Sequence, residues 1–80
     1  MDALDTALAR RRQQPLPDPE TARFLRRRAG LSLADIAAVV GVSHVSIWHW
    51  ETGRRQPRDA RLRDAYAAVL KRLAVDAEGK

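Results

Sequence analysis

The sequence predicts an all-α domain, and three observations predict it. Apolar residues make up 45% of the chain but aromatics only 5%, so the core falls to Ala, Leu, Val and Ile, a mixture that favours helices. Apolar positions recur at the three- and four-residue spacing of a helix face. Each such run is bounded by helix punctuation, with Asp, Ser or Pro before it and glycine after several of them.

Residues 2–14 place Leu4 and Leu8 one turn apart and end in Arg10, Arg11 and Arg12, the pattern of a short amphipathic arm with a thin apolar face. Pro15, Pro17 and Pro19 then forbid a continuous helix, so residues 1–17 read as an arm and a proline linker or corner. Asp18, Pro19 and Glu20 form a helix start: an N-cap acid, proline at the first helical position and an acid in the first turn. The first helix is expected over residues 19–29, with Phe24, Leu25 and Ala29 inward, Arg23, Arg27 and Arg28 outward, and Gly30 as terminator.

Ser32, Leu33, Ala34 and Asp35 make a shortened capping box, and Ile36, Ala37 and Val40 continue at helical spacing to Gly41. Ser43 is the next N-cap, so a third helix over residues 44–52 follows after only a few residues. Two short helices joined that tightly form a helix-turn-helix. Ile47 and Trp50 share one face of the third helix, and Gly53 stops it. Pro57 precedes a last helix over residues 59–75, striped by Leu62, Tyr66, Val69, Leu70 and Leu73, with residues 76–80 as a frayed tail. The main domain is thus expected over residues 18–75.

Eighty residues leave room for one domain, burying about 60–65% of the surface of the unfolded chain. Without cysteine there is neither a disulfide framework nor a thiolate metal site, and a reducing cytosol suits the composition. No apolar run approaches the roughly 20 residues of a membrane span, and the N-terminus carries acids where a signal peptide would be basic. A cytoplasmic protein follows, with no cofactor and no membrane partner.

Lys and Arg number 15 against 10 acids, giving +5, and 13 of the bases are arginine. The guanidinium fork suits phosphates and guanine edges, although solubility alone accounts for a similar charge on many small domains. With Ile47 and Trp50 turned inward, the other side of their helix presents His44, Val45, Trp48 and His49. His44, Ser46 and His49 offer hydrogen bonds to base edges, and Val45 an apolar contact to a thymine methyl. Trp48 suits either a hydrophobe on the bundle edge or an aromatic blade against sugars and methyls.

Leu25-Arg26, Gly30-Leu31-Ser32, Ile36-Ala37, Gly41-Val42-Ser43, Ile47, Trp50-Glu51, Gly53 and Pro57 together resemble the Cro/repressor-type, or xenobiotic-response-element, helix-turn-helix family over about residues 22–73. The resemblance implies a compact lambda-repressor-like bundle of four main helices. In it, the second crosses the DNA backbone and the third enters the major groove. It implies phosphate contact by Ser43 besides its capping, and by Arg54, Arg55 and Arg58 in the basic loop beyond the third helix. It also implies an ion pair between Arg26 and Glu51 that fixes the third helix against the first. The family has a polar residue after the serine that opens its second helix. Leu33 stands there instead, which puts that bracing contact in doubt, although backbone N–H groups can still meet a phosphate. Many relatives dimerise through a fifth helix, for which too little chain follows residue 75.

The function expected is a sequence-specific regulator of transcription bound to double-stranded DNA and associated with the nucleoid. A small repressor of the Cro, phage or mobile-element kind fits best, with control by protein amount and no small-molecule effector. An antitoxin-like protein-binding module on the same fold is the main alternative, and a homodimer stays open. Ser46 and His49 lack the acid and oxyanion loop of a catalytic site. His44 and His49 lie about 140° apart around a helix, too far to share a metal ion. RNA is disfavoured because its A-form major groove does not admit such a helix. Arg10, Arg11 and Arg12 suit either a minor groove or solvent.

Overall fold

The computed structural model describes residues 3, 4 and 16–79. The expected arm, with Leu8 and Arg10 to Arg12, lies outside the described residues except for Ala3 and Leu4, both exposed. Four helices follow: α1 (Pro19–Arg28), α2 (Leu33–Val40), α3 (His44–Glu51) and α4 (Ala60–Glu78). No strand occurs among the described residues.

Local chemistry accounts for most of the boundaries. Past α1, the Leu31 N–H donates to the Arg26 carbonyl at 3.2 Å and the Gly30 N–H to the Arg27 carbonyl at 3.0 Å. This reciprocal pattern closes a helix and requires the left-handed torsion that Gly30 adopts, with φ 74°. The helix α2 opens with a complete capping box. Ser32 Oγ accepts the Asp35 N–H at 3.0 Å, and Asp35 Oδ2 accepts the Ser32 N–H at 2.8 Å. The Ser32 N–H, and after it the Ser32 hydroxyl, hold the Asp35 carboxyl below its ordinary pKa. Gly41, at φ 90°, turns the chain out of α2. Ser43 caps α3 through the Ser46 N–H, and Asp59 caps α4 through the Arg61 N–H at 2.8 Å.

Ala22, Ile36, Ala37, Val40, Ile47, Trp50, Tyr66, Ala67 and Leu70 form the core, each large aliphatic among them contributing about 1.5–3 kcal/mol by burial. Here α2 packs on α3 and α4, and α1 on α4 and α3. Leu16 lies against the same core.

Three details differ from the sequence expectation. Phe24 and Ala29 do not face inward: Phe24 is 59% exposed and Ala29 is also exposed, while Ala22 takes the buried place at 2%. For Phe24 the reason is rotational, because Ala22 and Arg26 set the inner face and a residue two positions from Ala22 lies about 200° away; Ala29 falls past the last helical residue, as the C-cap. The Asp18 carboxylate caps no backbone N–H; it accepts the Thr21 hydroxyl instead, which lowers its pKa. Finally, α4 does not end at Val75 but continues to Glu78, since nothing in the sequence at 76–78 breaks a helix.

Candidate nucleic-acid interface

The polar residues singled out in the sequence gather around α3, and what fixes that helix decides what its outer face can do. From within, Ile47 is fully buried and Trp50 is 9% exposed. The Trp50 ring tilts against Tyr66 of α4 with centroids 4.9 Å apart. At its C-terminal end Glu51 is buried, a position a carboxylate keeps only with a charged partner.

That partner is Arg26 of α1. Its Nε donates to Glu51 Oε2 at 2.7 Å and its Nη2 to Oε1 at 3.0 Å, a two-pronged pairing. The third donor, Nη1, reaches the Leu31 carbonyl at 2.9 Å in the turn between α1 and α2. One guanidinium therefore ties together α1, the following turn and the end of α3. The hydrogen bond to Glu51 raises the Arg26 pKa above its ordinary value despite partial burial. Tyr66 lies beside the pair; burial, and then the Glu51 charge, push its phenol up to about 12. Its hydroxyl has no partner among the described residues.

From without, the N-terminal half of α3 is open. His44 and Val45 are exposed, and Ser46 is half-buried, 3.4 Å from Ser43 Oγ through its own Oγ. Trp48 is 40% exposed. His49 is less free than its position suggests: it is half-buried, and its Nδ1 is enclosed with no partner among the described residues. The ring of His49 tilts against that of Trp48 with centroids 5.1 Å apart.

Beyond α3 the chain turns back on Gly53, and the Arg54 N–H donates to the His49 carbonyl at 3.0 Å. Arg54, Arg55 and Arg58, which follow this turn, are all exposed. The guanidinium of Arg54 lies over the Trp48 ring, 4.8 Å from its centroid. Such a contact is attractive because the cation meets the negative face of the ring, by about 0.5–1 kcal/mol at an exposed site. Arg54 thus reaches its place already oriented by Trp48, which the sequence does not signal because the two are six residues apart with a helix end between them.

Leu33, found where a polar residue was expected, is half-buried and packs on the core. Its side chain therefore serves packing. Of the backbone N–H groups at the start of α2, that of Asp35 is taken by Ser32 Oγ. Among the described residues no group of His, Asp or Glu side chains could hold a metal ion, and no helix is long and apolar enough to cross a membrane.

The arrangement is a short helix anchored by Ile47, Trp50 and a buried ion pair, presenting hydrogen-bonding and apolar side chains outward and flanked by three arginines. Residues 20–78 match the family model described as a helix-turn-helix domain. No curated protein and no solved structure matches the chain.

Proposed function

The chain belongs to the helix-turn-helix domain family, and on that premise we propose that it is a sequence-specific regulator of transcription, of the small repressor type, that binds double-stranded DNA. Helix α3 enters the major groove with its N-terminal half toward the bases. His44, Val45, Ser46, Trp48 and His49 read base edges and thymine methyls. Ser43, Arg54, Arg55 and Arg58 bind the phosphates that set the register. Regulation runs through protein amount, without a small-molecule effector.

The observation that carries this reading is the division of α3 into two faces. Ile47, Trp50 and Glu51 are buried, whereas His44, Val45 and Trp48 are exposed. The part-exposed apolar surface of Val45 and Trp48 suits a groove lined with base edges and methyl groups. The half-buried state of His49 shifts the emphasis within the set: His44 and Val45 lead, and His49 contributes through its exposed edge and by buttressing Trp48.

Selection of bound sites from random duplex DNA tests the proposal, followed by titration of the enriched site at a series of salt concentrations. The expected result is an enriched motif and an affinity that falls with a log–log slope of about −0.9 for each phosphate contacted. No enrichment would refute the reading. Binding to a partner protein with no salt-dependent DNA binding would transfer the fold to the antitoxin-like alternative.

A further inference from the structure

On the face where α2 and α4 meet lies an open trough of about 620 Å³. Leu31, Val39, Val69 and Leu73 give it an apolar floor, while Asp35 stands on the α2 wall and Arg72 on the α4 wall. Val39 is 69% exposed, the most exposed of the large hydrophobic side chains among the described residues. No residue of α3 or of 54–58 lines the trough.

We infer that this trough is where a second copy of the chain docks, around a two-fold axis passing through it. A two-fold contact is made by one patch on both partners, so each residue meets a counterpart that meets it in return. Rotation by half a turn exchanges the walls, setting α2 of one copy against α4 of the other. Asp35 of each copy then faces Arg72 of its partner, and two opposite-charge pairs frame Val39, Val69 and Leu73. Like charges on both walls would repel under that rotation; an acid on one and a base on the other attract twice. A single exposed pair adds little affinity but fixes register. The apolar floor supplies the association.

The trough accounts for dimers independently of any DNA site, so the test is made without DNA. The whole chain is followed by sedimentation equilibrium over a concentration series. Four proteins are compared: the wild type, Asp35→Lys, Arg72→Glu and Val39→Lys, each checked by circular dichroism for an intact helical fold. The wild type is expected to move from its 9.0 kDa monomer toward a dimer. Each substitution is expected to weaken association by about tenfold or more, the equivalent of about 1.4 kcal/mol. Val39→Lys keeps a cation at the C-terminal end of α2, where the helix dipole favours it, so its loss of association reads the surface and not the fold.

An equimolar mixture of Asp35→Lys and Arg72→Glu adds a further arm. One copy then carries two bases and the other two acids, so both cross-pairs are attractive and a heterodimer is expected although each variant alone stays monomeric. Asp35→Lys gives up the capping bond to the Ser32 N–H, so if it does not fold, Val39→Lys and Arg72→Glu decide the test. A wild type that sediments as a monomer throughout would overturn the inference. So would a dimer untouched by Val39→Lys and Arg72→Glu, or a mixture of folded variants that fails to recover association. None of these outcomes bears on DNA binding, which the site selection decides separately.

Discussion

Replacing Arg26 with alanine removes three hydrogen bonds at once: the two to Glu51, at 2.7 and 3.0 Å, and the one to the Leu31 carbonyl at 2.9 Å. The greater cost is what remains. Glu51, whose side chain is only 4% exposed, would stay buried as an unpaired anion, and breaking a buried pair in this way costs about 3–5 kcal/mol. The Arg26 side chain is 13% exposed, so some water can reach the vacated space, which places the cost near the lower end, about 3 kcal/mol. Against a total of about 4–12 kcal/mol for a domain of this size, that is a quarter or more of the stability. At about 4–8 °C per kcal/mol, thermal melting followed by circular dichroism should drop by roughly 12–24 °C.

A second arm separates the buried charge from the lost packing. Arg26→Met combined with Glu51→Met replaces both charges by apolar groups of similar length, and the double variant should be more stable than Arg26→Ala. At a temperature where Arg26→Ala is still folded, its affinity for a selected DNA site should fall by about tenfold, because α3 has lost the tie that sets its angle to α1. A melting temperature within about 4 °C of the wild type together with unchanged affinity would refute the account of Arg26 as the clamp of the bundle.

Three more outcomes follow from single positions. Tyr66→Phe deletes a buried hydroxyl that has no partner among the described residues and should stabilise by up to about 1 kcal/mol at neutral pH. The folded phenol titrates near 12 against an ordinary 10.0; a raised value means stability present below pH 10.0 and lost as pH climbs toward 12, roughly 2–3 kcal/mol in full. Urea midpoints across that range should decline in the wild type and stay flatter in Tyr66→Phe; parallel curves would contradict this. Gly41→Ala places a methyl where nothing lies within 4 Å, so its cost is purely torsional, about 1–2 kcal/mol for an L-residue at φ 90°. Gly79→Ala, at φ −73°, should leave the urea midpoint unchanged, and equal midpoints for both variants would dismiss the torsional explanation. Arg58→Ala should lower DNA affinity evenly across sequences and flatten the salt slope by about 0.9, whereas His44→Ala should change which bases are enriched. An altered base preference in Arg58→Ala would reverse those two assignments.

The parts of the fold that could be read from the sequence are those encoded within four or five residues. Ser32 with Asp35, Ser43 before α3 and the glycines at 30, 41 and 53 each specify their own boundary through local hydrogen bonds or torsion. The buried faces of α2 and α3 were legible for a related reason, since Ile36 and Val40 stand four residues apart and Ile47 and Trp50 three, one helical turn in each case. In α1 the local signal misleads. Phe24 is the largest apolar residue there, but the inner face is chosen by where Arg26 must stand to meet Glu51, 25 positions away. The stacking of Arg54 on Trp48 and the enclosure of His49 Nδ1 are likewise products of tertiary geometry, with no trace in spacing. The extension of α4 to Glu78 shows the converse case, in which the absence of a breaker outweighed the loss of apolar periodicity.

The opposed faces of α3 also give the molecule two internal light sources. Trp48 and Trp50 are the only tryptophans in the chain, and a separation of two residues turns them about 200° apart around the helix. Trp50, in the core against Tyr66, emits from an apolar setting that changes when the bundle melts. Trp48, under Arg54 and open to solvent, is the one a soluble quencher such as iodide can reach. A duplex seated on α3 would shield the second from the quencher and leave the first as it was. Unfolding and docking can therefore be followed as separate optical signals in the unlabelled protein.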